Sequence, residues 1–481
     1  MADTKISIYS PLDHVPEDIW LKIFTVVTHA PLPSTPPAAG LLPPPFTLAS
    51  ICTSLRYTVL SSTLLWRTIT MHFSELFPAA HRNPRAPAAR DRFQRQIEAF
   101  ELWLARSGTQ PLTLSIHLPV HEFSYHTTPA KRIPTLIAAQ AARIRFLRMD
   151  MFEEWVPFFQ ADEEDTTPSL FGKVLQEVDM VTWSSKAPLD LSRCTNLTEA
   201  KFNVVCSRAG LRASLFLPWT RLVCATISRA PRHEILSLLQ RMPNLQRCTL
   251  ELIDLASLGP KALPDRMERP ALTHLTVHGA QAEDLKAILD SIPYTLEHLS
   301  LGSLLDHIPS YPIEERAVED PISFVDVLVQ SLRAFEDTLH SLDLQWYNLM
   351  KWEGVRTLLL QMPRLKELKV SQGHVARDFD TGFLRGCLSD LEVLPALEHL
   401  EVLVGGKCMG PAEKDIIGFL RARSGANSAL KRVDWIFECG EGGAKRSLKV
   451  SVRDKIKEIL DGGLEFRMCS KTECDKVMEV I

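Results

Sequence analysis

The chain has 481 residues, room for several domains or for a small module joined to a repeat array. Hydrophobic residues make up 45% and charged residues 23%, which excludes a disordered or collagen-like chain. With 54 basic and 58 acidic residues the formal net charge is -4, so no global charge draws the chain to nucleic acid or to an anionic membrane.

No stretch reaches the ~18 consecutive apolar residues of a membrane span. The opening Met1-Ala2-Asp3-Thr4-Lys5 leads into no apolar core of signal-peptide length. A cytoplasmic or nuclear location is therefore expected, with the sequon at Asn196-Leu197-Thr198 idle. Ten cysteines are present and none forms C-x-x-C, so neither a zinc ribbon nor a thioredoxin-like motif is expected. Cys224 and Cys248 fall where a repeat calls for small apolar residues, and both are expected to be buried, reduced thiols.

The first predicted element starts near Pro16, whose missing N–H costs nothing in a first helical turn. Glu17 and Asp18 suit the positive end of the helix dipole. Ile19, Ile23, Val26 and Val27 follow at the spacing of one apolar helix face. Residues 30–45 are Pro-rich and are expected to form a loop. A second helical pattern runs from Phe46 through Leu48, Ile51, Cys52 and Leu55, toward Leu64-Leu65-Trp66 and a strand-like segment at Ile69.

In this order the segments resemble the F-box family. The matching residues are Val15-Pro16-Glu17, Ile19, Ile23-Phe24, Ile51-Cys52 and Leu65-Trp66 with Ile69. Two features depart from the family pattern: the Pro-rich insertion, and Ser54-Leu55-Arg56-Tyr57 in place of a Trp-Arg after the central Cys. The resemblance implies a helical module that binds a Skp-type adaptor and, through it, a cullin. It implies adaptor contacts at Val15, Pro16, Ile19, Ile23, Phe24, Leu48, Ile51, Cys52, Leu65 and Trp66. Trp66, at the turn back onto the module's core, is expected to be more structural than interfacial.

From His81 to Arg95 the chain is Arg-rich but short and without interleaved aromatics, so a solvated linker is expected there rather than a nucleic-acid patch. Phe93, Ile97, Phe100 and Leu104 then mark an amphipathic helix, with Asp91 as its N-cap and Gly108 near its stop.

Beyond Gln110 a unit Leu-x-x-(apolar)-x-(apolar) recurs. Examples are Leu175/Val178/Met180, Leu197/Ala200/Phe202, Leu245/Cys248/Leu250, Leu272/Leu275/Val277, Leu339/Leu342/Leu344 and Leu397/Leu400/Val402. Between Leu175 and Leu296 successive units start 22 to 27 residues apart, inside the leucine-rich-repeat period of about 20–29. The alternation predicts one short strand per unit. Helical stretches precede many units, as at Glu234–Arg241, Ala282–Ser291 and Glu413–Arg423. The phrases Met242-Pro243-Asn244-Leu245 and Met362-Pro363-Arg364-Leu365 stop a helix and start a strand.

The predicted class is thus α/β: an all-helical F-box-like module over 8–75 with its insertion at 30–45, a linker and amphipathic helix over 76–110, an irregular leucine-rich-repeat solenoid over 111–466 with parallel strands inside and helices outside, and a tail over 467–481.

Enzyme motifs are near misses. The run from Gly440 to Ser447 lacks the Gly-Lys-(Ser/Thr) of a phosphate loop. His121 and His126 are one residue too far apart for H-E-x-x-H, and no G-x-S-x-G occurs. No catalytic residue, cofactor or metal is expected. An unknown protein target is expected on outward strand positions, at His274, Thr276, His278, His298, Asp343, Gln345, Glu367, Lys369, His399 and Glu401, with Trp346-Tyr347 either an anchor or inter-repeat packing. The resemblance makes the chain a substrate-recognition subunit of a Skp–cullin–F-box ubiquitin ligase, or alternatively a scaffold with no ubiquitin transfer.

Overall fold

A computed structural model of the chain describes residues 15–29, 44–51, 53–73, 87–118, 128–159, 171–182, 189–204, 215–230, 232–252, 271–279, 282–292, 294–302, 321–346, 352–372, 388–404, 413–425, 428–437, 450–460 and 463–470. They fall into two compact units, Met1–Leu222 and Val223–Ile481.

The first unit opens with α1 (Glu17–His29), α2 (Pro44–Ile51) and α3 (Thr53–Ser61), then a 3-10 turn at Thr63–Trp66. The Pro16 carbonyl accepts from the Ile19 and Trp20 amides (3.0 and 3.2 Å), so Pro16 starts α1. Where one helical run was expected from Phe46, two helices form, and Cys52 between them lies outside the described residues. The Pro-rich stretch does not stay a loop to Pro45. Pro44 and Pro45 open α2, in the turn where a missing N–H is harmless.

Five strands follow in a parallel ladder ordered β1 (Thr68–His72), β2 (Leu112–His117), β3 (Ile144–Met151), β4 (Glu177–Thr182) and β6 (Glu199–Val204). A separate two-stranded pair joins β5 (Leu189–Asp190) to β7 (Leu215–Phe216). Parallel neighbours need a crossover, supplied by α4 (Pro87–Arg106) between β1 and β2 and by α5 (Thr128–Gln140) between β2 and β3. Helix α4 starts on Pro87, so Asp91 lies within its first turns rather than capping it. Gly108, at φ +55, provides the expected stop. Arg143 fastens that end, its guanidinium donating to the Gln110 and Leu104 carbonyls and to Ser107 Oγ.

The second unit is a nine-strand parallel ladder in sequence order. It comprises β8 (Cys224–Ala230), β9 (Arg247–Leu252), β10 (His274–His278), β11 (His298–Leu301), β12 (Ser341–Trp346), β13 (Glu367–Gln372), β14 (His399–Val404), β15 (Arg432–Phe437) and β16 (Glu465–Ser470). The last strand continues four residues past Phe466, into the stretch read as tail. Crossover helices are α6 (Arg232–Leu239), α7 (Ala282–Ser291), α8 (Pro321–Leu332), α9 (Trp352–Leu360), α10 (Glu413–Arg423) and α11 (Val450–Leu460). Helices α6 to α9 pack each on the next, as α10 does on α11. The molecule is thus α/β with long runs of parallel strands, as the repeat pattern predicts.

The rungs of β4, β6 and β8 to β15 each bury a leading leucine and two alternate strand residues, as Leu272, Leu275 and Val277 do. A fully buried leucine contributes about 1.5–3 kcal/mol, so the stacked rungs dominate stability. The helix stop is the same in both repeated phrases: Leu245 N–H donates to the Met242 carbonyl and Leu365 N–H to that of Met362, with both methionines buried. Among the described residues no helix is long and apolar enough to cross a membrane.

Candidate docking surfaces

Helix geometry sets successive residues 100° apart, so Ile19, Ile23, Val26 and Val27 form one stripe and Phe24 points well away from it. The structure buries the Phe24 side. Phe24 is 2% exposed and stacks on Trp20 at 5.5 Å. The isoleucine–valine stripe faces solvent at 39%, 44%, 70% and 46% in chain order. Ile51 is 57% exposed, and Tyr57, Leu60 and Leu64 are exposed as well. An amphipathic helix normally buries its apolar stripe. Here α1 packs on α2, α3 and the 63–66 turn while its most apolar stripe stays bare. Contiguous exposed apolar surface of this kind marks an interaction site.

The expected adaptor residues therefore divide. Pro16, Ile19, Ile23 and Ile51 are exposed and Val15 is partly so, whereas Phe24, Leu48, Leu65 and Trp66 are buried. The last four hold the module together and offer a partner no surface. Apolar period alone could not separate the two groups, because Leu48 and Ile51 stand three residues apart in the same helix. Val26, Val27, Tyr57, Leu60 and Leu64 had not been assigned to the surface, although Val26 and Val27 were visible in the α1 stripe.

The second surface is the outward face of the strands in the second unit. In-register pairing lines up first-position residues Arg247, His274, His298, Ser341, Glu367, His399, Arg432 and Glu465. Third-position residues Thr249, Thr276, Ser300, Asp343, Lys369, Glu401, Asp434 and Arg467 form a second row. His274 and His298 stack at 4.1 Å. His278 occupies the space over Gly302, where an added Cβ would lie 1.6 Å from its Nδ1. Ser300 Oγ donates to Asp343 Oδ2 at 3.1 Å.

From β13 onward the face is a checker of paired charges. Lys369 Nζ meets Glu401 at 2.8 Å, and the Arg432 guanidinium and His399 Nε2 both reach Asp434 Oδ2, at 2.7 and 2.8 Å. Arg467 pairs with Glu465. Burial pushes the Asp343 carboxyl above its usual range, against the pull of Lys369 and the Ser300 hydroxyl. Burial lowers the Lys369 amine, but its hydrogen bond to and charge contact with Glu401 outweigh that, so it is held up. The expected target residues thus share one face, with Gln345 exposed near the end of β12. Trp346 ends β12 opposite Gln372, and Tyr347 lies outside the described residues. Arg247, Arg432 and Asp434 belong to this face and were missed. They occupy the same motif positions as His274 and Glu401, one or more rungs away, and extending that rule would have found them.

Cys248 is buried, as expected, and its thiol is pushed up to about 12 by desolvation. Cys224 departs from expectation. It begins β8 at an outward position, is half-buried, and its sulfur accepts from Arg247 Nε at 3.0 Å. Alkylation of the native protein by iodoacetamide at mildly alkaline pH should label Cys224 and spare Cys248, because the thiolate is the nucleophile. Peptide mapping that found both labelled at equal rates would contradict this packing. Among the described residues no group of three or more His, Cys, Asp or Glu is placed to hold a metal ion. In comparison with known proteins, the chain matches no family model and no curated sequence.

Proposed function

We propose that the chain is the target-choosing subunit of a Skp–cullin–F-box type ubiquitin ligase, its N-terminal helices docking a Skp-type adaptor and its repeat strands holding a protein target. The observation that carries this reading is the bare apolar stripe of α1, on a module whose sequence resembles an F-box and which is followed by parallel strand–helix rungs. In this reading the chain performs no bond chemistry. It raises the effective concentration of a target lysine beside a ubiquitin-charged enzyme. The rungs resemble leucine-rich repeats, and their open strand faces suit a protein ligand.

Interfaces concentrate their energy in a few buried anchors, each worth ~2 kcal/mol or more on truncation. Replacing Ile19 and Ile23 together by aspartate should therefore abolish capture of a purified Skp-type adaptor. Both side chains are exposed, so secondary structure and protease resistance should not change. Undiminished capture by the double variant would refute the reading. Capture of the adaptor by the wild-type chain without a cullin would turn it toward the scaffold alternative.

A further inference from the structure

The outward face of β8 to β11 differs from the paired face that follows it. Arg247 has no carboxylate within 4.0 Å among the described residues, whereas Lys369, Arg432 and Arg467 each have one. Its neighbours at the same register are His274 and then His298, on strands about 4.8 Å apart. The hydroxyls of Thr249 and Thr276 lie two residues along the same strands. These side chains share one solvent-facing patch, with Arg247 and His274 exposed and Thr249, Thr276 and His298 partly so.

His274 Nδ1 has a polar neighbour on its own strand edge. Thr273 Oγ1 lies 2.9 Å from His274 Nδ1 and 3.2 Å from the Gln246 carbonyl, which also accepts from the Thr273 and His274 amides. A neutral imidazole donates from one ring nitrogen only, and protonation of His274 makes both nitrogens donors. In the free protein burial lowers the His274 pKa, as do the charges of His298 and Arg247, with Glu297 opposing.

We propose that this patch, Arg247 with the stacked His274–His298 pair and the Thr249 and Thr276 hydroxyls, binds an anionic oxygen group of the target, a carboxylate or a phosphoryl group on an extended segment. The proposal rests on reading the strand face as the target site. Arg247 supplies a forked cation, and His274 takes up a proton as the anion arrives. The titratable and charged groups facing His274 are Arg247 and, farther along, Glu251 on β9, His298 with Glu297 at its edge on β11, and His278 on its own strand. An anion stabilises the imidazolium, raising the His274 pKa in the complex, so affinity must increase as pH falls toward 6.

The test is fluorescence anisotropy on the full chain with three Gly/Ser peptides of equal length, carrying central Glu-Glu, central phosphoserine, or central Gln-Gln. The first, the second or both should bind and the third should not, and the preferred peptide identifies the anion. Arg247→Gln should weaken binding roughly tenfold, the loss of one charge-assisted contact. Lys286→Gln, which removes a cation from α7, should leave binding unchanged. The Glu-Glu peptide does not titrate between pH 8 and pH 6, so tighter binding at the lower pH, lost in His274→Asn, reports the imidazole. No binding by either charged peptide, equal weakening by Lys286→Gln, or no pH response in the wild type would overturn the proposal. Adaptor capture is measured separately, so failure here with capture intact refutes only this inference.

Discussion

Replacing Trp66 by alanine should cost about 3–5 kcal/mol and loosen the packing of the N-terminal helices. The indole is fully buried, and its Nε1 donates to the Val59 carbonyl at 2.8 Å. It stands edge-on to Phe46 at 5.2 Å and to Trp103 at 6.0 Å, and those two rings meet each other at 5.6 Å. The Arg106 guanidinium sits 4.8 Å from the indole centroid. Trp66 therefore ties α2, α3 and α4 together at the first rung. Alanine removes the ring from three contacts and strips the buried Val59 carbonyl of its donor. A domain's whole stability is about 5–15 kcal/mol, so this loss is decisive locally. Phenylalanine, which keeps most of the area and loses the hydrogen bond, should cost closer to 1 kcal/mol from that bond. Hydrogen exchange over residues 53–73 and 87–106 of the full chain should rise in Trp66→Ala and change little in Trp66→Phe. Unchanged exchange in the alanine variant, with adaptor capture lost, would instead make Trp66 a contact residue.

The same residue shows where sequence reading succeeds and where it stops. From β3 to β15 the rungs were legible, because a leading leucine, or Ile144 in β3, and two alternate apolar residues recur even where the spacing widens to 43 residues between Leu296 and Leu339. The ladder in fact begins two strands earlier, at β1 and β2. Their inward residues Ile69 and Met71, and Leu114 and Ile116, alternate as the later ones do. Yet Trp66 and Pro111 stand where later units carry leucine, so the unit was not recognised. The α1 stripe was legible as a stripe, but its exposure was not. A 3.6-residue period records that a face is apolar and is silent on whether the chain itself covers it. The pairing of Lys369 with Glu401 was implicit in their equal motif positions. That no carboxylate among the described residues lies within 4.0 Å of Arg247 was not, because it depends on what neighbouring rungs present.

Arg423→Met is the other substitution expected to have a large effect, about 3–5 kcal/mol, since it would leave a buried polar network without its cation. Arg423 lies near the end of α10 and is 2% exposed. Its Nε donates to the Leu388 carbonyl at 2.6 Å, and its terminal nitrogens donate to the carbonyls of Asp390, Val393 and Leu394 at 2.8, 2.6 and 3.4 Å. The segment it holds, residues 388–397, leads directly into β14. It turns at Leu394, with φ +55, and is pinned on its other side by Arg356, whose guanidinium meets the Asp390 carboxylate at 2.8 Å. That hydrogen bond, with one from the Glu392 amide, holds the Asp390 carboxyl below its usual range. Only a planar fork with donors on three nitrogens can reach carbonyls spread along the segment, so Arg423→Lys should recover little of the loss. Arg421→Met, two residues away and exposed, should change stability by no more than about 0.5 kcal/mol. Denaturant unfolding, with hydrogen exchange over residues 388–397, distinguishes these cases. Equal midpoints for the Arg423 and Arg421 methionine variants would show that the carbonyl cluster does not depend on its arginine.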